Sequence, residues 1–192
     1  MRYTLVSAAV AGLLWTTAFA GDAPVVKDNE EYSVHHAELI HKANSTIFGG
    51  ITITASPDSS ALHVDVHIGG INESQYINYH IHAKPVPEDG NCYLTGAHLD
   101  PYHRTQEPPC DIKVPQTCEV GDLSGKHGPA WAPSGEVFHA SYNDFFLSNT
   151  PGSPAYFGNL SWVVHAPDSS RLTCGNFQTI AEGERPKTEE PC

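Results

Sequence analysis

Residues 61–70 read ALHVDVHIGG. Leu62, Val64, Val66 and Ile68 fall on one side of an extended chain, and His63, Asp65 and His67 on the other. That period of two is the mark of a half-buried β-strand. Upstream, FGGITITAS (48–56) is a second apolar run, and the turn-forming SPDSS (56–60) between them makes the pair a hairpin. Downstream, alternation returns in SQYINYHIHA (74–83), GEVFHASYNDFF (135–146) and NLSWVVHAP (159–167), and RLTCGNFQTI (171–180) reads as a final strand. No stretch of 11 to 18 residues carries a helical period. With 16 Gly and 15 Pro punctuating short strands, the pattern predicts an all-β fold, an antiparallel barrel or sandwich.

The ends of the chain are of a different kind. Arg2, the apolar LVSAAVAGLLW and the small-residue AFA at 18–20 form a secretory leader over 1–20. Its apolar run is too short to span a bilayer. One β domain is expected over 21–180, and the charged 181–192 reads as a disordered tail. The formal net charge of -12 disfavours nucleic acid and anionic lipid as partners. Export suits disulfides among the five cysteines, Cys92, Cys110, Cys118, Cys174 and Cys192, of which at least one must be left over. The sequons at Asn44, Asn72 and Asn159 predict a glycoprotein, secreted or associated with the cell wall.

Two long segments break the alternation: the tail, and the stretch from about Pro85 to Val120, which holds three of the cysteines. An irregular loop of that length in a small domain points to function. It follows a strand on which Tyr76, Asn78, His80 and His82 share one face, with the two imidazoles spaced to meet one ion. In a chain with 12 histidines one His-x-His pair is expected by chance, so the pair alone decides nothing.

Further motifs fall into order around it. CYLTGAHLDPYH (92–103) puts His98 six residues after Cys92, and WVVHAPDSSRLTCG (162–175) holds His165, Arg171 and Cys174. From about Tyr32 to Thr179 the chain resembles the copper-zinc superoxide dismutases, extracellular enzymes on a Greek-key β-barrel. The resemblance implies a copper site of His80, His82, His98 and His165, an anion-receiving Arg171, and a disulfide between Cys92 and Cys174. Cysteine spacing alone leaves three pairings open for four residues. The family favours the long one, leaving Cys110 with Cys118, so that both bonds pin the metal loop to the barrel. Cys192 has no assigned partner.

The chain also departs from that family. In CEVGDLSG (118–125) Asp122 is kept, but Glu119 stands where a zinc histidine belongs, and Gln106 falls near the other zinc position. Only APDSS separates His165 from Arg171, in place of a long charged loop. Both departures resemble the copper-only, secreted fungal branch, which implies no zinc. Without zinc, some other group must orient His98, and Glu119 and Asp122 are the candidate carboxylates. His98 is also the expected proton carrier. The expected function is a secreted copper-dependent superoxide dismutase, monomeric and without a membrane span, making dioxygen and hydrogen peroxide. The alternative is a non-catalytic copper-binding or storage protein, in which Arg171 would merely pair with Asp168. His35, His36, His41 and His139 are expected on the solvated surface, His103 in a loop, and His127 has no assigned role.

Overall fold

The strands fall where the apolar residues alternate, and they stack into two antiparallel sheets. The computed structural model describes residues 21–56 and 60–180, so the expected leader, the tail and Cys192 lie outside the described residues. The larger sheet is built from β1 (Val34–Glu38), β2 (Phe48–Ala55), β3 (Leu62–Gly69), β5 (Phe138–Asp144) and β8 (Gln178–Ile180), in the order β5-β3-β2-β1-β8. The smaller sheet comprises β4 (Asn78–His82), β6 (Ser161–His165) and β7 (Arg171–Asn176), in the order β4-β6-β7. The chain leaves the larger sheet after β3, returns at β5 and leaves again for β6, which is the Greek-key exchange between layers.

Between the layers lies the core. Ile51, Ile53, Leu62, Val64 and Ile68 of the large sheet meet Tyr79, Ile81 and Trp162 of the small one, with Phe157 and Leu147 from loops. All of these side chains are essentially excluded from water. The chain just after β1 runs on beside β7 and joins the layers: Ile40 donates its amide to the Cys174 carbonyl at 2.9 Å. Gly175 permits this approach, because a Cβ there would stand 2.0 Å from the carbonyl oxygen of Glu38.

Two sequence expectations need correction, and one strand carries no sequence signal. The stretch 171–180 is two strands in different sheets, divided at the buried Phe177, which turns into the core. The stretch Val34–Glu38, which has no clean alternation, is a strand paired on both sides, to β2 and to β8. Consequently His35 is buried, not solvated, and its ring sits edge-on to Phe157 at 5.1 Å. By contrast, His41, His103 and His139 are exposed, and His36 is half-buried.

From Lys84 to Val120 the chain is largely irregular, apart from short 3-10 turns at Cys92–Thr95 and Pro115–Thr117. It then enters a single five-residue helix, α1 (Leu123–His127), too short for any helical period to show in sequence. Disulfides join Cys92 to Cys174 and Cys110 to Cys118. The first ties the loop to β7, the second closes the loop on itself just before Glu119. Asn44, Asn72 and Asn159 are all exposed. Among the described residues, no helix is long and apolar enough to cross a membrane.

Candidate metal centre

β4 and β6 pair so that Asn78 lies opposite His165 and His82 opposite Ser161. The register sets His80 and His82 on the face of β4 that β6 completes with His165 at its end. The fourth imidazole comes from the loop, where His98 bridges to His82 as an isolated antiparallel pair. Gly121 makes room for the returning loop: its amide donates to Leu99 O at 2.8 Å and its carbonyl accepts from Ile81 N at 2.9 Å. A Cβ at Gly121 would lie 2.3 Å from the Ile81 carbonyl oxygen. Glu119 and Asp122, on either side, are thereby set against the histidines.

One ring nitrogen from each of His80, His82, His98 and His165 lies within 4.8 Å of the others. Each ring has its other nitrogen engaged. His82 donates from Nδ1 to Gly96 O (3.0 Å), His165 from Nδ1 to Ser169 O (3.2 Å), and His98 from Nδ1 to Glu119 Oε2 (2.5 Å). His80 is turned the other way: its Nε2 lies between Ser124 Oγ (3.1 Å) and Asp122 Oδ1 (3.4 Å). These bonds leave three Nε2 atoms and one Nδ1 atom as the inward lone pairs.

Two observations mark the place of a cation. The Nδ1 of His80 is buried with no hydrogen-bond partner, a position polar atoms rarely occupy without cause. The Nε2 atoms of His82 and His165 face each other at 3.0 Å, each with its proton fixed on the far nitrogen. An ion about 2.0–2.1 Å from each nitrogen satisfies all four. Burial first, then the neighbouring imidazoles, lowers His82 to about 2 and His165 to about 3, and burial lowers His80 as well. These three rings are therefore neutral, the form that binds metal. Four imidazoles are a donor set suited to copper.

Carboxylates and a guanidinium surround these rings. Glu119 is buried and bonded to His98 alone among the four. Asp122 does not reach for His98 as the sequence suggests. It accepts from the Gly125 amide at 2.7 Å as the N-cap of α1, and its Oδ1 faces His80. Burial alone would raise its carboxyl, but the hydrogen bond and charge of His80 outweigh that and lower it. Capping commits the side chain to α1, and α1 abuts β4 where His80 stands.

Arg171 is held by the 3-10 turn at Cys92–Thr95. Its Nη1 donates to Cys92 O (2.6 Å) and Thr95 Oγ1 (2.8 Å), its Nη2 to Gly96 O (2.6 Å), and Tyr93 lies against its plane at 5.6 Å. These bonds use three of the five N–H donors a guanidinium carries. Asp168 instead accepts from Ser170, at 2.6 Å from its hydroxyl and 3.0 Å from its amide. Arg171, the four histidines, Glu119, Asp122 and Gln106 line one open cleft of about 340 Å³. Gln106 reaches 3.5 Å from His98 Nδ1, and His103 stands in a turn outside the cleft lining.

Sequence reasoning missed Ser124, which links Tyr79 N (3.2 Å) to the His80 ring, and Thr95, which links Arg171 to His82 Nδ1 (3.1 Å). A hydroxyl has no spacing signature, and only the fold brings these to the rings.

No protein-family model matches the chain. It is 36% identical, over 84% of its length, to a cell surface Cu-only superoxide dismutase of Arthroderma benhamiae, and spans half of that relative. Two relatives from Candida albicans are covered more fully. Cell surface superoxide dismutase 4, named as Cu-Zn, is 35% identical over 96% of this chain and 74% of its own, and cell surface Cu-only superoxide dismutase 5 is 36% identical over 89% and 72%. The solved Cu(II) structure of Candida albicans superoxide dismutase 5 superposes with a TM-score of 0.68 at 34% identity, covering 79% of this chain and 94% of that one.

Proposed function

The chain belongs to the fungal cell-surface superoxide dismutases, and on that premise we propose that it is an extracellular copper-dependent superoxide dismutase working without zinc. One observation carries the reading: four inward imidazole nitrogens and a partly free guanidinium share one open cleft. Simple storage of a cation gives no use for an anion receptor beside it, which disfavours the storage alternative.

His80 through Nδ1, and His82, His98 and His165 through Nε2, would hold the copper. Bound copper supplies a one-electron couple, Cu(II)/Cu(I), that zinc lacks. Everything else is done by the chain's own groups. Arg171 docks the superoxide anion with the N–H donors left over from the 3-10 turn. Dismutation consumes two protons for each pair of superoxide ions. His98 Nε2 is the proton-carrying atom of the chain, and Glu119 on Nδ1 keeps that ring aligned while it carries positive charge. Since Glu119 occupies Nδ1 of His98, that nitrogen is not offered to a second ion.

Loading the protein with copper and zinc, then measuring metal per chain and superoxide consumption, tests this reading. We expect one copper held with activity, and copper lost on replacing His80 or His165. Copper-loaded protein that consumes no superoxide overturns the activity.

A further inference from the structure

Outside the cleft, the outward face of the larger sheet carries a second group of imidazoles. Its strand registers place Glu38, Gly50, His67 and His139 in one row across β1, β2, β3 and β5. The next row begins with His36 and Thr52. Gly50 lies between the inward Ile51 and the other side chains and offers no side chain of its own. Neighbours from the two flanking strands lean over the gap. The point where a Cβ of Gly50 would stand is 2.7 Å from Glu38 Oε2, 2.9 Å from His36 Cε1 and 3.0 Å from His67 Cε1.

We propose that His36, Glu38 and His67, with His139 as a fourth donor, form a peripheral site for a borderline divalent cation, zinc being the best match. Three features support it. First, His36 Nε2 and Glu38 Oε2 are hydrogen-bonded at 3.3 Å, which is also about the separation of two ligands about 2.0–2.1 Å from a tetrahedral ion, so a cation would take the place of the shared proton. Second, His36 Nδ1 is 3.0 Å from Thr52 Oγ1, so a hydrogen bond at that nitrogen orients the ring and leaves Nε2 for metal. Third, His67 stacks on His139 with ring centroids 6.2 Å apart and 24° between planes, so a fourth imidazole stands beside the other three side chains in the row. Burial lowers His67, Glu38 raises it, and His139 and His36 lower it further, a balance that leaves the ring neutral near pH 7. Imidazoles with one carboxylate form a zinc-type donor set, distinct from the four imidazoles of the cleft.

Binding here would clamp β1 to β3 across β2, on the face opposite the core. It also bears on how zinc content is to be understood: a zinc ion found in this protein need not sit at the copper centre. The proposal stands apart from the dismutase reading, since none of its residues lines the cleft.

The test uses copper-loaded full-length protein titrated with Zn(II) alone. Zinc and copper per chain are measured after dialysis, together with the imidazole Cε1–H resonances. We expect one zinc per chain beyond the copper, shifts of the His36 and His67 signals, and affinity weakened about tenfold or more by either His36→Ala or His67→Ala, with His67→Gln as a conservative check. Copper content and superoxide consumption should not change in these variants. Zinc uptake that survives the His36→Ala/His67→Ala pair, or that disappears only when the cleft histidines are replaced, overturns the proposal. So does the absence of saturable uptake.

Discussion

His98 and Glu119 are bonded at 2.5 Å, and both are largely shut off from water. Replacing Glu119 by Gln keeps an acceptor within reach of the ring but removes the charge that balances a protonated imidazole. Turnover should fall by about tenfold or more, with copper per chain unchanged. Arg171 supports a different comparison. Arg171→Ala should lower superoxide turnover and weaken inhibition by small anions while sparing the metal. Arg171→Lys should restore only part of both, because an ammonium cannot grip three acceptors in one plane. Steady-state superoxide consumption with and without azide checks the pair. At this scale the four imidazoles and Arg171 were legible from motif order, whereas the partner of Asp122 was not. A capping aspartate faces wherever its helix starts, and nothing in CEVGDLSG says that α1 begins beside His80.

Among the elements, α1 has only five residues and cannot hold itself together. It is fastened at its start by Asp122 and near its end by Lys126, whose ammonium is wholly buried between Val120 O (2.8 Å) and Asp144 Oδ2 (2.5 Å). Asp144 also accepts from the amides of Phe146 and Leu147 at 2.9 and 3.0 Å. His127, whose role was open in the sequence, lies 3.0 Å from the same carboxylate and stacks on Tyr142 at 3.8 Å. Lys126→Met would strand the buried carboxylate and should cost about 3–5 kcal/mol of stability in urea unfolding. Copper affinity should weaken with it, since α1 carries Ser124 and the cap that orient His80. The alternating strands β2 to β5 were visible in sequence because one face meets the core and the other meets water or the cleft, and β6, buried throughout, was visible as a short apolar run ending in His165. β1 was hidden because its core-facing positions are His35 and Ala37, so no large apolar residues alternate along it, and β8 was hidden because a single residue, Phe177, separates it from β7.

For the molecule as a whole, the long disulfide and the buried ionisable groups set the limits of stability. Cys92–Cys174 is buried beside Val86 and Val163 and joins residues 82 apart in sequence. Replacing both cysteines by Ala should cost about 4.5 kcal/mol in the chain-entropy account. It should also loosen Arg171, whose guanidinium is held by the Cys92 carbonyl. Calorimetry and the anion-inhibition assay would report the two effects separately. Acid should act in two stages. Burial lowers His35 below its ordinary 6.5, so its contribution is complete above that pH and declines as the unfolded chain takes up protons below it. For Asp144, burial alone would raise the carboxyl, but the Lys126 charge and the hydrogen bond from His127 outweigh it. Its stabilisation is therefore present above about pH 4 and lost on further acidification. Urea midpoints measured from pH 8 to pH 3 should show both limbs, and His35→Leu should reduce the first only in part, because His80, His82 and His165 are lowered as well.

The carbonyl oxygen of Gly96 receives both His82 Nδ1 and Arg171 Nη2. An anion that draws the guanidinium toward itself leaves more of that oxygen's electron density to the imidazole N–H, and the ring becomes a stronger electron donor on its other side. Arrival at the mouth of the cleft is thus felt at the metal end through one shared atom, and neither partner can be altered without retuning the other.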